Sequence, residues 1–484
     1  MKTRNKRSIL VLALAVALLA VLAAACAAPA PAPAAPAEQP AEQPAAPAEQ
    51  PAAAPSEEEL PFNLKPGKPY DGTELNFLIC CATAAQFHSL ALRSNSDFYE
   101  MTGIKVHWDD VPYGAFQEKL VTEATSASDK YDLFAFTDAW GAGLKPYMVP
   151  LDQFVEENSN IIDLSDYPPA YIEAGKGLDG KLYGLPLRGH PFMFFYRTDI
   201  FEELGIEVPT TWEEMEQAAQ TIKDSGYGGE DFYPLSVYYG INAGQNTFWW
   251  EALLWSNGGE LFDDSWKPIF NSDLGLEATE RYIGWLRNGL TGPGSVAYNE
   301  QEGLEEFIQG RAAMFMGWWW MYSRMINCER APDVCENVGF AVAPSWEGKG
   351  KPRTYGHVWP MGINKYSKKQ EAAFEYMKWI HSAEVQKEVI MDKSSPEVST
   401  NVATRLSVLR DPEVNAVNNG LPAVGAEILA NARTNPIIPE WLEILSVLEI
   451  GINDMAAGGA DVKATLDQMA ADVEAIMDRA GYYK

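Results

Sequence analysis

The chain has 484 residues, of which 47% are hydrophobic and 21% are charged, so it can bury the cores of more than one domain. Its 67 acidic residues outnumber its 37 basic ones and give a formal charge of −30. This charge disfavours nucleic acid as a partner and disfavours adsorption to an anionic membrane surface.

The N-terminal segment, residues 1–25, has the organisation of a secretory signal peptide. Lys2, Arg4, Lys6 and Arg7 precede the apolar run "ILVLALAVALLAVLAAAC", which ends in small residues. A basic region, an apolar region and a small-residue cleavage site together predict export. The run is nearly long enough to span a bilayer, so an uncleaved anchor is the alternative.

Cys26 follows small residues in a pattern that resembles a bacterial lipobox, whose cysteine is lipidated and becomes the first residue of the mature chain. The pattern departs from the usual one, because Ala23 stands three places before Cys26 and Leu22 lies one place further back. We predict a lipid anchor at Cys26. Ordinary cleavage after an A-x-A site is the alternative.

Residues 26–69 are predicted to form a stalk behind this cysteine. From Ala27 to about Pro55 the sequence is almost only Ala, Pro, Glu and Gln, with "PAEQ" recurring. Such a segment cannot bury enough apolar surface to fold. A Pro-rich segment is extended at about 3.1 Å per residue, so this one would hold a domain on the order of 100 Å from the membrane.

The four other cysteines suit an exported protein, because disulfides persist outside the cytoplasm. Cys328 and Cys335 flank the short loop "CERAPDVC" and are predicted to pair. Cys80 and Cys81 are adjacent, and the sequence leaves open whether they form a strained vicinal disulfide. The five histidines are scattered and no CxxC pair is present. We therefore expect neither a metal site nor a cofactor.

The folded chain is predicted to start near Tyr70 with alternating strands and helices. "TELNFLICC", "GIKVHWDD" and "YDLFAFT" have the apolar and β-branched composition of buried strands, and helices are predicted near Phe87–Thr102 and Gly114–Ala127. This alternation predicts βαβ units and a parallel sheet. Ligands of such sheets bind beyond the carboxyl ends of the strands. These ends are predicted at Cys80–Thr83, Asp109–Tyr113 and Thr137–Trp140.

Two later helices are well marked. In "PTTWEEMEQAAQTIKDSG" Thr210 or Thr211 can cap the helix, Glu213 or Glu214 can complete a capping box, and Gly226 ends it. Apolar residues recur at helical spacing there and in the C-terminal "ADVKATLDQMAADVEAIMDRA". Both helices are therefore predicted to pack against a core.

Six phrases occur in a particular order along the chain. They are "KLYGLPL", "FFYRTDIFEELGIEVPTTWEE", "NGGELFDD", "FIQGRAAMFMGWW", "GHVWPMGINKYSKKQEAAFEYMKWIHSAEVQKE" and a closing "NPIIPEW…ADVKATLDQMAADVEAIM". This order resembles the extracellular solute-binding proteins of ATP-driven import systems, in the branch that includes maltose-binding protein. The resemblance covers essentially everything from Tyr70 to the C-terminus.

The resemblance implies an α/β, bilobed periplasmic-binding-protein-like fold, in which two lobes joined by three hinge crossings close over a ligand in the cleft. By analogy the crossings lie near Gly189–Phe192, His357–Met361 and Ser399–Thr404. Lobe one would then comprise residues 70–190 and 361–400. Lobe two would comprise residues 191–360 and 401–484.

The candidate ligand-binding residues combine aromatic faces with polar groups, as a sugar requires for its C–H faces and hydroxyls. The chain is 12% aromatic and has 15 tryptophans. Positions at strand ends, at crossings or where the family carries its aromatic platforms give these candidates: Asp110, Phe136, Asp138, Trp140, Phe248, Trp249, Trp250, Trp319, His357, Trp359, Glu440 and Trp441. Arg188 and His190 lie beside the first crossing. For the helical tryptophans the alternative is a place in the core, and for the aspartates it is helix capping.

The run "GRAAMFMGWWWMYSRM" contains three consecutive tryptophans. The preceding "FIQGRAAMFM" is predicted to be helix, turn and strand, with Gly317 ending the strand. If side chains continue to alternate, Trp318 and Trp320 enter lobe two, and Trp319 faces the ligand.

The sequence lacks the short signatures of common enzymes, namely GxSxG, a Gly-rich phosphate loop, HExxH and a Cys–His motif. We predict a monomeric binding protein that is not an enzyme. It would capture an extracellular sugar or oligosaccharide and deliver it to the membrane permease subunits of an ABC importer. Two alternatives stay open: a polyamine or other small polar solute in the same fold, and a secreted polysaccharide-degrading enzyme, whose paired carboxylates leave no short signature.

Overall fold

The computed structural model describes residues 60–81, 87–349, 351–393 and 403–483. The predicted signal peptide, Cys26 and most of the stalk lie outside these residues, as does most of the third predicted crossing. In the described part of the chain, no helix combines the length and the apolar character needed to cross a bilayer.

The folded unit begins before the predicted start at Tyr70. Leu64 is buried in the core. The backbone N–H of Lys65 donates to Glu375 at 2.9 Å, and Asn63 is hydrogen-bonded to Asn160 at 2.7 Å. Residues 60–69 therefore belong to the globular unit, and the predicted stalk would have to end before residue 60.

The described residues form one sheet of eight strands. In chain order these are β1 (Glu74–Cys80), β2 (Lys105–Val111), β3 (Leu133–Ala135), β4 (Leu185–Arg197), β5 (Tyr233–Ser236), β6 (Ala312–Trp318), β7 (Val338–Ala341) and β8 (Gly356–Ile363). Their order in the sheet is β2-β1-β3-β8-β4-β6-β5, and β7 also pairs with β4. The pairs β1–β2, β1–β3 and β5–β6 are parallel, and the others are antiparallel. The predicted parallel βαβ units are confirmed for β1 to β3.

Strand β4 links the two halves of this sheet. Its first part, from Leu185 to Pro191, pairs with β8, whereas its second part, from Phe192 to Arg197, pairs with β6 and β7. One continuous strand therefore passes from the half that contains β1, β2 and β3 to the half that contains β5 and β6.

Helices flank the first half of the sheet and precede β5. They are α1 (His88–Arg93), α2 (Tyr99–Thr102), α3 (Tyr113–Thr125), α4 (Asp138–Gly141), α5 (Asp152–Glu157), α6 (Pro169–Gly175), α7 (Thr198–Leu204) and α8 (Trp212–Ser225). Between α1 and α2 the segment Ser94–Phe98 is π-helical, so the single predicted helix is interrupted. The predicted ends of α8 are confirmed, with a capping box of Thr211 and Glu214 and with Gly226 at the C-cap.

The remaining helices surround the second half of the sheet and the C-terminal part. They are α9 (Thr247–Ser256), α10 (Asp273–Arg287), α11 (Glu300–Ile308), α12 (Tyr322–Met325), α13 (Gln370–Ile380), α14 (Ala383–Met391), α15 (Leu406–Leu409), α16 (Pro412–Val417), α17 (Leu421–Leu429), α18 (Trp441–Gly458) and α19 (Val462–Ala480). The predicted apolar face of α19 is confirmed, since Val462, Leu466, Met469 and Val473 are all buried.

Candidate functional site

The paired strands β4 and β8 present polar and aromatic side chains on one face. Arg188 lies directly opposite Trp359, and His190 lies directly opposite His357. Cross-strand partners share a face of the sheet, and residues two apart return to that face. The two strands therefore place all four side chains on the same side, at the point where the halves of the sheet join.

Aromatic side chains from helices beside the first half of the sheet pack against one end of these four residues. The ring centroid of Trp140, in α4, is 5.9 Å from that of Trp359, and the centroid of Phe116, in α3, is 5.7 Å from it. Tyr113 lies 5.5 Å from Trp140 and is 47% exposed. These contacts bring the ends of α3 and α4 onto the face formed by β4 and β8.

Rings from the second half pack against the other end. Trp318, the last residue of β6, has its ring centroid 5.6 Å from that of His357 and 5.0 Å from that of Phe248 in α9. Phe248 is stacked on Tyr355 with centroids 5.3 Å apart. We call the set Tyr113, Phe116, Trp140, Phe248, Trp318, Tyr355, His357 and Trp359 the ring cluster.

A chain of hydrogen bonds orders the middle of the ring cluster. The indole Nε1 of Trp359 donates to Nε2 of His357 at 2.7 Å, so the hydrogen of a neutral imidazole resides on Nδ1. That Nδ1 donates to Asp138 at 2.8 Å, and the hydroxyl of Tyr355 donates to the other oxygen of Asp138 at 2.7 Å. Asp138 is only 2% exposed, and its two donors hold it against the start of β8.

A buried cation lies beside this chain. The guanidinium of Arg188 is 4.1 Å from the ring centroid of Trp359, and its Nη1 donates to the carbonyl oxygen of Cys80 at 3.3 Å. Burial lowers the pKa of Arg188 to about 9, while the charge of Asp110 opposes the shift. Arg188 is thus cationic at neutral pH, and burial also lowers the pKa of its neighbour His190 well below the ordinary value.

Two further carboxyl groups lie near the ring cluster. Glu300, at the start of α11, accepts from Nε1 of Trp318 at 2.7 Å, and burial raises its pKa. Glu251, in α9, is buried, and burial raises its pKa well above the ordinary value. In both cases burial disfavours the charged form, because it removes the water that would stabilise a carboxylate.

Several of the predicted site residues lie in the core, apart from the ring cluster. Phe136 is fully buried. Its ring packs so closely on Gly184 that a Cβ atom added to this glycine would lie 2.8 Å from the ring. Trp249, Trp250 and Trp441 are fully buried in α9 and α18, and Nε1 of Trp250 donates to Thr279 at 2.8 Å. Their helices turn these rings inward, as the core alternative anticipated.

Glu440 lies before α18 and accepts from the hydroxyl of Tyr482 at 3.1 Å. Asp110 lies near the end of β2, where its charge acts on Arg188. The structure joins Cys80 to Cys81 and Cys328 to Cys335 by disulfides. Among the described residues, His, Cys, Asp and Glu form no group of three that could hold a metal ion.

The three consecutive tryptophans lie in different surroundings. β6 continues through Trp318, one residue past the predicted end, and a 3₁₀ turn covers Trp319–Met321. Trp318 belongs to the ring cluster, whereas Trp319 packs on α17. Its ring is so close to Gly425 that a Cβ atom added to this glycine would lie 3.2 Å from the ring. Trp319 lines a separate cavity of about 210 Å³ together with Ile390 and Pro422. The expected strand alternation thus ends before Trp320, and Trp318 is the tryptophan beside His357.

Four residues at the ring cluster were not predicted from the sequence: Tyr355, Trp318, Phe116 and Glu300. A signal for Tyr355 was available, because it stands two places before His357 and a strand returns every second side chain to the same face. Glu300 lies 18 residues before Trp318 in sequence. Nothing in its local sequence distinguishes it from other helix-starting acids, so only tertiary contacts reveal it.

The fold agrees with comparisons against known proteins. The family model of the bacterial extracellular solute-binding proteins matches residues 84–387, which is more than half of the chain. The chain belongs to this family. Its members are binding proteins, and the bilobed α/β fold that the sequence predicted is confirmed by solved structures of the same class.

Among the similar proteins of this solute-binding family is a probable amino-acid ABC transporter periplasmic-binding protein of Sinorhizobium fredii. It is 28% identical over 86% of this chain and 92% of its own length. A mannitol-binding protein of Pseudomonas aeruginosa is 23% identical over 62% of this chain and 70% of its own. The crystal structure of a solute-binding protein from Agrobacterium radiobacter in complex with ribitol is 25% identical, covers 84% of this chain and all of its own, and superposes with a TM-score of 0.70.

Proposed function

We propose that this solute-binding protein captures a polyhydroxylated solute, a sugar, sugar alcohol or oligosaccharide, at the ring cluster and delivers it to the permease of an ABC importer. The observation that carries the proposal is the ring cluster with its ordered polar core of Asp138, His357 and Trp359. Similar proteins whose names or crystal complexes specify mannitol or ribitol support the same chemical class.

The chemistry of the site suits a neutral solute with many hydroxyls. Indole and phenol faces accept the C–H surface of a sugar. Arg188 supplies hydrogen-bond donors, and the carboxyl groups of Asp138 and Glu300 supply acceptors. The charge of Arg188 against Trp359 disfavours a polyamine, because a second cation would be repelled at short range.

The site also suits a mechanism of lobe closure. Trp140 lies in α4, beside the first half of the sheet, and Trp318 ends β6 in the second half. Both rings lie against residues of β8. In our proposal the lobes are residues 70–190 with 361–400 and residues 191–360 with 401–484, and closing them brings the two groups of rings onto one solute. Binding then shifts an open–closed equilibrium without chemistry on the solute. No catalytic role is assigned to any residue.

The location we propose is the outer surface of the cell membrane. Export through the signal peptide of residues 1–25, lipidation of Cys26 and the Pro-rich stalk would keep a monomeric receptor close to its permease. The extracellular family supports export, and the lipid anchor rests on the lipobox-like sequence before Cys26.

The proposal is tested by titration calorimetry and thermal shift against one panel of solutes. The panel contains ribitol, D-mannitol, tagatose, maltose, galactooligosaccharides, spermidine and the common amino acids. A bound solute stabilises the folded protein by mass action and so raises its melting temperature. When the free solute concentration is a hundredfold above Kd, the free energy of unfolding rises by about 2.7 kcal/mol. We expect a rise with at least one sugar or sugar alcohol and none with spermidine.

A matched pair of variants links this response to the ring cluster. Trp140→Ala removes a ring that packs on Trp359, and Trp266→Ala removes a half-buried ring that packs on Phe262 and Tyr482 instead. Only the first variant should weaken binding. A response to amino acids alone, or to spermidine alone, would refute the assignment of a polyhydroxylated solute. Release of reducing sugar from a polysaccharide would refute the proposal that the protein does no chemistry on its solute.

A further inference from the structure

A pair of adjacent cysteines lies at the edge of the site and has no role in the proposed function. Cys80 is the last residue of β1 and is joined by a disulfide to Cys81. Cys80 is buried, and Cys81 is half-buried with a φ of 57°, a left-handed conformation that non-glycine residues rarely adopt. The bond therefore lies where the chain leaves a parallel strand at its carboxyl end, the edge at which such sheets bind ligands.

The disulfide controls the direction of one backbone carbonyl. The peptide group between Cys80 and Cys81 is part of the small ring that the disulfide closes, so this group cannot rotate freely. Its oxygen, the carbonyl oxygen of Cys80, accepts the hydrogen bond from Nη1 of Arg188 at 3.3 Å. In the oxidised protein Arg188 thus has an acceptor whose direction is covalently fixed.

Arg188 transmits this constraint to the ring cluster. Its guanidinium lies 4.1 Å from the ring centroid of Trp359 and 5.6 Å from that of Phe87. Trp359 in turn donates from Nε1 to His357, which is bonded to Asp138. Arg188 therefore links the disulfide to Trp359, and through Trp359 to His357 and Asp138.

We propose that the Cys80–Cys81 disulfide is a redox-sensitive positioning element of the solute site. The proposal rests on the proposed function for its effect on affinity, and on the contacts of Arg188 for its effect on Trp359. In the oxidised form the pair holds the Cys80 carbonyl toward Arg188 and so holds Arg188 over Trp359. In the reduced form the peptide group rotates, Cys81 leaves the left-handed region, Arg188 loses this fixed acceptor, and binding weakens.

The chemical step is an ordinary thiol–disulfide exchange with an external dithiol. A thiolate of dithiothreitol attacks the sulfur of Cys81, the more exposed of the two, and the bond between the cysteine sulfurs breaks. The second thiol of the reagent then displaces the thiolate of Cys81 and closes the oxidised ring of dithiothreitol. Two protons from the reagent end on Cys80 and Cys81, so the protein gains two electrons and the dithiol loses them.

The second disulfide of the chain provides an internal control. Cys328–Cys335 closes a loop between α12 and β7, away from β1 and Arg188. The same reductant acts on both disulfides. Removing Cys328–Cys335 therefore separates the effect of the vicinal pair from any general effect of reduction.

The first test reports on Trp359 without any solute. The indole ¹⁵N–¹H resonances are recorded with and without dithiothreitol for three proteins: the wild type, Cys328→Ser/Cys335→Ser and Cys80→Ser/Cys81→Ser. Trp359→Phe assigns the Trp359 resonance, and alkylation with mass spectrometry verifies which thiols are free. We expect this resonance to move on reduction in the first two proteins and to stand at the reduced position throughout in the third.

The second test measures affinity in the same three proteins by titration calorimetry, with ribitol, D-mannitol and maltose as probes. Losing one hydrogen bond to a charged group should weaken binding on the order of ten-fold. We expect this loss on reduction in the wild type and in Cys328→Ser/Cys335→Ser, and no redox response in Cys80→Ser/Cys81→Ser.

The outcomes separate the two proposals. A Trp359 resonance that stays in place while both thiols of the vicinal pair are alkylated overturns the positioning role, whether or not a probe binds. A resonance that moves while a bound probe keeps its affinity also overturns it. A resonance that moves when no probe binds to any of the proteins supports the positioning of Arg188 and Trp359, and counts against the proposed solutes instead.

Discussion

At the scale of single residues, the ring cluster depends on which tryptophan contacts β4 and β8. Trp318 is the cross-strand partner of Phe192 and therefore lies on the same face as His190 and Arg188. Trp319 follows the end of β6 and packs against α17. Two adjacent and chemically identical side chains thus lie in unrelated surroundings.

We expect Trp318→Ala to weaken binding of a sugar or polyol probe by about 1–3 kcal/mol, because a stacked ring and the donor to Glu300 are lost together. Trp319→Ala should leave affinity within about 0.5 kcal/mol. Titration calorimetry on both variants measures their affinity for the probe. Circular dichroism should first establish that each variant is folded. If Trp319→Ala alone weakens binding, the assignment made from the sequence pattern is correct and the one made from the ring cluster is wrong.

At the scale of elements, strands β4 and β8 pack against helices, among them α6, α13 and α17. The ring of His381, at the end of α13, is fully buried, with Nδ1 2.9 Å from the carbonyl oxygen of Met377 and Nε2 3.4 Å from that of Leu185 in β4. Burial lowers the pKa of His381 to about 4, and nearby Arg405 adds to the shift. His381, between α13 and β4, is therefore neutral in the folded protein.

This pKa predicts a loss of stability on acidification. Between pH 6.5 and about 4 the unfolded chain binds a proton at His381 and the folded chain does not, so stability falls as pH falls in this window. One such proton contributes about 1.4 kcal/mol per pH unit. The free energy of unfolding is measured in urea at several pH values. Its slope against pH should contain this contribution in the wild type and in the control His88→Gln, which alters an exposed histidine.

The variant His381→Gln should lack this contribution, while the buried His190 contributes equally in all three proteins. Equal slopes for His381→Gln and the wild type would mean that His381 is not the group responsible.

At the scale of the whole molecule, the predicted anchor and the globular unit have separate tasks. Residues 60–483 contain the described fold, and the acidic balance of the chain keeps it off an anionic bilayer unless it is tethered. A lipid on Cys26 would therefore determine location without affecting the site.

We expect Cys26→Ser to release the protein into the medium with its solute affinity unchanged. Fractionation of cells followed by calorimetry on the released protein measures both effects. Ala23→Leu, which restores the usual lipobox residue, is the matched control and should retain the protein in the membrane. Continued membrane association of Cys26→Ser would contradict lipidation and favour an uncleaved signal segment.

The sequence predicted the elements better than it predicted the site. The capping box of α8, the strands β1 to β3 and the apolar face of α19 follow from short-range patterns, and each was found where expected. Asp138 and Trp140 lie just after the end of β3, as predicted, and contacts bring them beside His357 and Trp359 in β8. Their role in binding stays a prediction. Phe136, Trp249 and Trp250 carried the same composition signal but turn into the core.

The sequence by itself determined the class of fold and the family, because ordered phrases, turn residues and apolar periodicity are local properties of the chain. Only the tertiary structure decided which rings share a surface. Tyr355, Trp318 and Glu300 join the site through contacts between β8, β6 and α11. Such contacts depend on the register of β4 against β8 and β6, because a shift of one residue would turn every side chain of the strand to the opposite face. This register is not encoded by the local sequence.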